Sequence, residues 1–248
     1  MENSTNFSSA QQELPRGTDT VIMGILNVIE VLVGIPGNFL VIMAVLLSRK
    51  LQTASNAFIV NLAVADLLTC MVLPLHIVGD WARYYFSSLE PICQVALGIT
   101  HICVGCSVLT LASIALNRFL LVLTPRSTYQ TIYRPRHLVI WIILLWSISG
   151  MMSILPPLAF NIGKFGFDLP TQSCLSLTDF PTSKQYEYIL VLGFYPIPLA
   201  VIVVCYTGIL IKVVKHNRRL KQNKEQRGNS KPKCSNNRIR ISNGNHQK

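Results

Sequence analysis

Five long apolar segments run through this chain, near residues 21–47, 56–78, 92–123, 138–160 and 186–214. Each exceeds the ~20 residues that an α-helix needs to cross ~30 Å of hydrocarbon. Lipid offers a peptide group no partner, so a segment that spans it must close its hydrogen bonds internally. The expected fold is therefore all-α, a polytopic transmembrane helical bundle of five spans. Composition agrees: 13% of the 248 residues are charged, where a soluble domain carries about 25%.

The net charge of +11 is confined to one end. From residue 212 onward there are twelve Lys/Arg and one acid, Glu225, while the residues before are balanced. A basic tail that directly follows a span is explained more simply by an anionic lipid leaflet than by nucleic acid, so no nucleic-acid partner is expected. The short loop after the first span carries Arg49 and Lys50, and the loop after the third carries Arg126, Arg134 and Arg136. The other two loops are mixed or acidic. The positive-inside rule then places the N-terminus outside and the C-terminus in the cytoplasm. Three regions follow: an extracellular tail over 1–20, the bundle over 21–214, and a basic cytoplasmic segment over 215–248 whose composition predicts disorder or loose helix. The tail has no basic stretch ahead of a short apolar core, so the first span is expected to act as its own insertion signal. Asn3-Ser4-Thr5 and Asn6-Phe7-Ser8 are acceptor sequons on the predicted outer side, which makes Asn3 and Asn6 candidate glycosylation sites.

Of the seven cysteines, Cys70, Cys103, Cys106 and Cys205 lie in spans, where reduced and packed thiols are expected, and Cys234 is in the cytoplasmic tail. Cys93 and Cys174 fall on the oxidising face and form a candidate bridge, two unpaired thiols being the alternative. Polar residues within a span are costly and usually face the bundle interior. Here they form a sparse, ordered set. Gly37-Asn38 lies in the first span, and Asn61 and Asp66 in the second. Asn117-Arg118-Phe119 closes the third, with Arg118 25 residues after Cys93. Trp146 and then Pro156-Pro157 mark the fourth, Pro198 and then Tyr206 the fifth. Asp66 reads as the only acid deep within a span, so it must be hydrated, neutralised or paired. The proline pair is expected to end the fourth helix, and Pro198 to kink the fifth.

In this order and spacing the set resembles the rhodopsin-like (class A) G-protein-coupled receptors over residues 21 to about 215, and within them, loosely, the melatonin-receptor or orphan groups. Asn38 and Asp66 match that family's first- and second-helix polar residues, and Cys93 and Cys174 its extracellular bridge. Arg118 matches the arginine of its Asp/Glu-Arg-Tyr triplet, and Trp146, Pro198 and Tyr206 the markers of helices four and five. The resemblance implies a plasma-membrane receptor that binds an extracellular ligand within the bundle and signals to heterotrimeric G proteins. Asn117, Arg118, Phe119 and Tyr206 would carry the coupling. In that family the positions of Asp66 and Ser107 help to hold a sodium ion, with Asn38 in the same polar network. A water-mediated cluster without an ion is the alternative. Two departures stand out. Asn117 replaces the usual acid and cannot form a charge-assisted pair with Arg118, and Phe119 lacks the usual tyrosine hydroxyl. Thr100 stands seven residues after Cys93, where amine receptors place an aspartate, so a biogenic amine is not the expected ligand. Thr100, His101, Cys103, His76, Tyr195 and Gln94 are candidates for the ligand pocket, with core packing as the alternative for each.

The family's sixth-helix Cys-Trp-x-Pro and seventh-helix Asn-Pro-x-x-Tyr motifs do not occur here. The expectation is a receptor with five of seven helices, which signals poorly by itself and is retained in the endoplasmic reticulum. The alternative is a truncated, non-signalling isoform that forms oligomers with full-length receptors and modulates their trafficking. No metal-ligand spacing, nucleophile elbow or phosphate-binding glycine loop is present, so an enzyme is not expected. No inverted repeat points to a transporter.

Overall fold

The computed structural model describes residues 18–81, 90–168, 173–177 and 180–229. Five helical spans long and apolar enough to cross a membrane account for most of it. The first is α1 (Thr18–Leu47) and the second α2 (Ala54–Trp81). They are joined by a 3-10 turn over Arg49–Leu51. The side chains at this junction close the helix ends: Gln52 Nε2 donates to the Leu46 carbonyl at 3.3 Å, and Thr53 Oγ1 accepts from the Asn56 amide at 3.4 Å.

The third span is α3 (Glu90–Leu123). A short helix, α4 (Arg126–Ile132), follows in a loop of which the sequence analysis names only the arginines. The fourth span, α5 (Pro135–Ala159), opens with proline at its first position, where the missing amide is of no consequence. Pro156 and Pro157 do not stop this helix on the spot. They lie in its last turn, and the Pro156 carbonyl accepts from the Phe160 amide at 3.2 Å and the Ile162 amide at 2.9 Å.

The loop after α5 then folds into an antiparallel hairpin, β1 (Phe165–Asp168) and β2 (Ser173–Ser176), with Phe167 opposite Cys174. Its entry is sharp: Asn161 and Gly163 have positive φ, 50° and 78°. A Cβ at Gly163 would lie 2.7 Å from Tyr186 Cβ, so both conformation and space demand glycine. Thr182 ties the two arms together, accepting from the Gly163 amide and donating to the Asn161 carbonyl, each at 3.0 Å.

The fifth span is built from α6 (Ser183–Phe194) and α7 (Pro196–Asn229). The interruption falls at Tyr195–Pro196, two residues ahead of the expected Pro198 kink. Pro196 and Pro198 remove two alternate ladder donors, and the helix breaks at the first of them. Helix continues to Asn229, well past the expected end of the span at residue 214.

α3 is the central element. Of its most apolar window 44% is buried, against 0% for α1 at the periphery. Small residues permit close approach of the helices: Ala63 and Ala65 on α2, Ala96, Ala112 and Ala115 on α3, and Ser149 and Ser153 on α5 are all buried. At α1 and α2 the fit is tight, since a Cβ on Gly34 would lie 2.5 Å from Cys70 Sγ. The inner core gathers Phe58, Cys106, Ile114 and Leu145, and an outer cluster gathers Cys93, Leu97 and Cys174. The four intramembrane cysteines are free and buried, as expected.

Candidate functional site

The polar residues named from sequence fall into three tiers along α3. At mid-span, Ser107 Oγ donates to Asp66 Oδ1 at 2.7 Å, which joins α2 to α3. Asn38 is not part of that contact. Its Nδ2 donates to the Gly34 carbonyl on its own helix at 3.0 Å. Asp66 is also not alone as an intramembrane acid: Glu30 lies within α1, with its side chain exposed and its carbonyl 3.8 Å from Cys70 Sγ. A carboxylate and a hydroxyl form an oxygen donor pair suited to a hard cation such as sodium, whereas the thiols of Cys103 and Cys106 nearby are not. Among the described residues no group of three His, Cys, Asp or Glu side chains could hold a metal ion.

A second polar knot was not anticipated. Asn61 is 6% exposed. Its Nδ2 donates to Thr110 Oγ1 at 2.9 Å and its Oδ1 accepts from Trp146 Nε1 at 2.9 Å, which ties together α2, α3 and α5. The signal was present in both residues, because an indole N–H and an amide inside apolar spans must find partners. A parallel bond links Trp141 Nε1 to Ser113 Oγ at 3.1 Å.

Toward the C-terminal end of α3 Asn117 is fully buried. It turns to α4 rather than to its neighbour: its Nδ2 donates to the Tyr129 hydroxyl at 3.2 Å. Arg118 is exposed and forms no ion pair among the described residues. Phe119 packs over α7, where a Cβ at Gly208 would lie 2.5 Å from its ring. Tyr206 is 44% exposed. Tyr133, at the exit of α4, packs edge-on against Phe58 with ring centroids 6.3 Å apart, and burial pushes its phenol up to about 12.

At the N-terminal end of α3 the disulfide Cys93–Cys174 fastens β2 to that helix, with Cα atoms 5.7 Å apart. This holds Phe165 of β1 flat against His101, with centroids 5.5 Å apart, and edge-on to Tyr186 at 5.3 Å. Tyr186 is 1% exposed, and its hydroxyl donates to the Ser153 carbonyl at 2.9 Å. His101 Nδ1 donates to the Leu97 carbonyl at 2.8 Å and Thr100 Oγ1 to the Ala96 carbonyl at 2.9 Å. Of the ligand candidates, His101 therefore joins an aromatic cluster with two residues the sequence did not single out. Cys103 is buried at 1% exposure, Tyr195 faces outward at 52%, and His76 lies outside the described side chains. A cavity of about 460 Å3 opens between Gln94, Pro157, Asn161, Lys164, Phe165 and Phe180, and it includes only Gln94 of those candidates. Asn3, Asn6 and Cys234 lie outside the described residues.

Residues 37–240 match the family described as 7 transmembrane receptor (rhodopsin family). The chain is 32% identical over 203 residues to the G-protein coupled receptor moody of Drosophila melanogaster, covering 80% of this chain and 29% of that protein. It is 31% identical over 205 residues to the Alpha-1A adrenergic receptor of Cavia porcellus, covering 81% of this chain and 41% of the receptor. It is 33% identical over 205 residues to the Melatonin receptor type 1B-A of Danio rerio, covering 81% of this chain and 67% of the receptor. The chain thus spans less than half the length of the first two relatives.

Proposed function

Because this chain belongs to the rhodopsin family of seven-transmembrane receptors, we propose that it acts in G-protein-coupled signalling, with a ligand engaged at its outer end and a heterotrimeric G protein at its inner end. The N-terminus is extracellular and the plasma membrane its site of action; the clustering of Arg49, Lys50, Arg126, Arg134 and Arg136 on one side supports that orientation. The observation that carries the reading is the state of the Asn117-Arg118 pair. Asn117 is consumed by Tyr129, while the neighbouring guanidinium is exposed and unpaired among the described residues. Arg118 is thereby presented at the inner face without a carboxylate to be stripped away first.

The ligand is a neutral or weakly polar aromatic compound rather than an ammonium. Supporting this, α3 carries no acid after Glu90, and the Thr100 hydroxyl is bonded to its own helix. The aromatic cluster of His101 and Phe165 would meet the ligand. At mid-span Asp66 and Ser107 would hold a sodium ion, which would neutralise the buried charge of the carboxylate.

The test is capture of a heterotrimeric G protein by the chain held in lipid nanodiscs. Arg118→Ala is expected to weaken capture at least about tenfold, the scale of a charge-assisted contact of about 1.5–3 kcal/mol. Equal capture by the chain and by the variant, with thermal unfolding unchanged, rules out the inner-face assignment.

A further inference from the structure

A notch opens on the lateral face of the bundle where α4 meets the start of α5. It measures about 430 Å3 and is lined by Ile132 and Tyr133 on one side and by His137, Leu138, Trp141 and Leu144 on the other. His137, Trp141 and Leu144 recur at helical spacing and so share one face of α5. Its floor is fixed from behind. Trp141 is bonded to Ser113 of α3, and His137 Nδ1 donates to the Ile132 carbonyl at 3.1 Å. Leu144 is 51% and Ile132 37% exposed, so the notch faces lipid rather than the bundle interior. From His137 to Leu144 the face rises by about 10 Å at ~1.5 Å per residue, which lies within one leaflet of a ~30 Å hydrocarbon layer.

Arginines flank its lining residues in sequence: Arg134 follows Tyr133 and Arg136 precedes His137. Arg134 caps α5, Arg136 lies in its first turn, and Arg126 begins α4; all three are exposed. The sequence holds no acid between Glu90 and Asp168, so no carboxylate on α4, α5 or the rest of α3 offsets them. An apolar slot flanked by uncompensated arginines at the membrane edge matches an anionic amphiphile, with hydrocarbon inside and charge at the rim. We infer that the notch seats one acyl chain of an anionic phospholipid, whose headgroup is held by Arg134 and Arg136. The occupant comes from the surrounding leaflet because the slot opens sideways into it. That this leaflet is the cytoplasmic one rests on the orientation proposed above; the charge selectivity does not. The seat adjoins the coupling residues: Tyr133 lies 4.9 Å from Tyr129, centroid to centroid, and Tyr129 holds Asn117.

Trp141 supplies a reporter inside the notch. The full chain is placed in phosphatidylcholine nanodiscs and titrated with dibrominated phosphatidylglycerol or dibrominated phosphatidylcholine. The Trp141 emission is isolated by subtracting that of Trp141→Phe. The anionic lipid is expected to quench at a mole fraction at least about fivefold lower than the zwitterionic one, the scale of one arginine contact at a membrane surface. In Arg134→Gln/Arg136→Gln the two lipids converge, while quenching by the zwitterionic lipid stays as before and shows the notch intact. In the unaltered chain the preference falls as ionic strength rises. Equal quenching by the two lipids, a preference that survives the double substitution, or one indifferent to salt overturns the proposal. Quenching by a brominated free fatty acid at lower mole fraction than the phospholipid overturns the assignment of the occupant.

Discussion

Asn117 shows how one atom redirects a side chain. A carboxylate there would attract the adjacent guanidinium; the amide instead exchanges hydrogen bonds with the Tyr129 hydroxyl, at 3.2 and 3.5 Å. Tyr129→Phe removes one partner of a fully buried amide that also meets the Tyr133 phenol, at a cost of about 1 kcal/mol, which a lowered unfolding midpoint in nanodiscs would register. Asn117→Leu combined with Tyr129→Phe removes both partners and should recover most of that loss; strictly additive effects would show that the pair is not coupled. For Asp66, exchange of potassium for sodium chloride at constant ionic strength should raise the midpoint of the unaltered chain by about 2–4 °C through selective binding to the folded state. Asp66→Asn should abolish the difference, and a sodium effect that persists in it would argue against Asp66 as ligand. Tyr133 has its own pH signature. Its phenol is raised to about 12 by burial, above the usual ~10. Folding therefore favours the protonated form, and the contribution is complete below pH ~10 and fades as pH climbs toward 12. The absorbance change at 295 nm that disappears in Tyr133→Phe should have its midpoint above pH 11, and a midpoint near 10 would mean an exposed ring.

Elements were legible where length and hydropathy speak together. The spans at 56–78 and 92–123 sit within α2 and α3, because a membrane-length apolar run has few alternatives. α4 was not legible: seven residues are too few for a helical period to show, and its place depends on Tyr129 meeting Asn117. Nor was the hairpin, since it is set by the turn at Gly163, the Thr182 clamp and the bridge rather than by alternation along four-residue strands. Glu30 was overlooked because one acid hardly alters the mean of a 30-residue apolar helix. At the α1–α2 contact, Gly34→Ala should cost about 1–3 kcal/mol through overpacking against Cys70. Cys70→Ala in the same chain should relieve it, and failure to do so would place the strain elsewhere.

At the scale of the molecule, α3 is where the tiers meet, and the site was legible to the extent that its residues lie on that helix. Asp66 and Ser107 were brought together by the family resemblance, and they do touch. Asn61 and Trp146, 85 residues apart, each signal the need for a partner, but only the folded chain shows that they are each other's. Orientation makes a prediction for the molecule as a whole. In mammalian cells an amidase that removes N-glycans should shift the mobility of the chain, and Asn3→Gln with Asn6→Gln should remove the shift. An unglycosylated chain would argue against an outer N-terminus. α7 has a mechanical consequence as well. Its 34 residues form a rod of about 50 Å at ~1.5 Å per residue. Hydrocarbon takes up only part of that length, so the remainder stands beyond the membrane as a stiff arm. Its fulcrum is the interruption at Tyr195–Pro196, one twelve-residue helix, α6, into the fifth span. A tilt there of ~5° sweeps the Asn229 tip through ~4 Å over a rod of that length. Rotation too small to unseat a side chain at the pivot is thus geared up, at the far end, to the diameter of an atom.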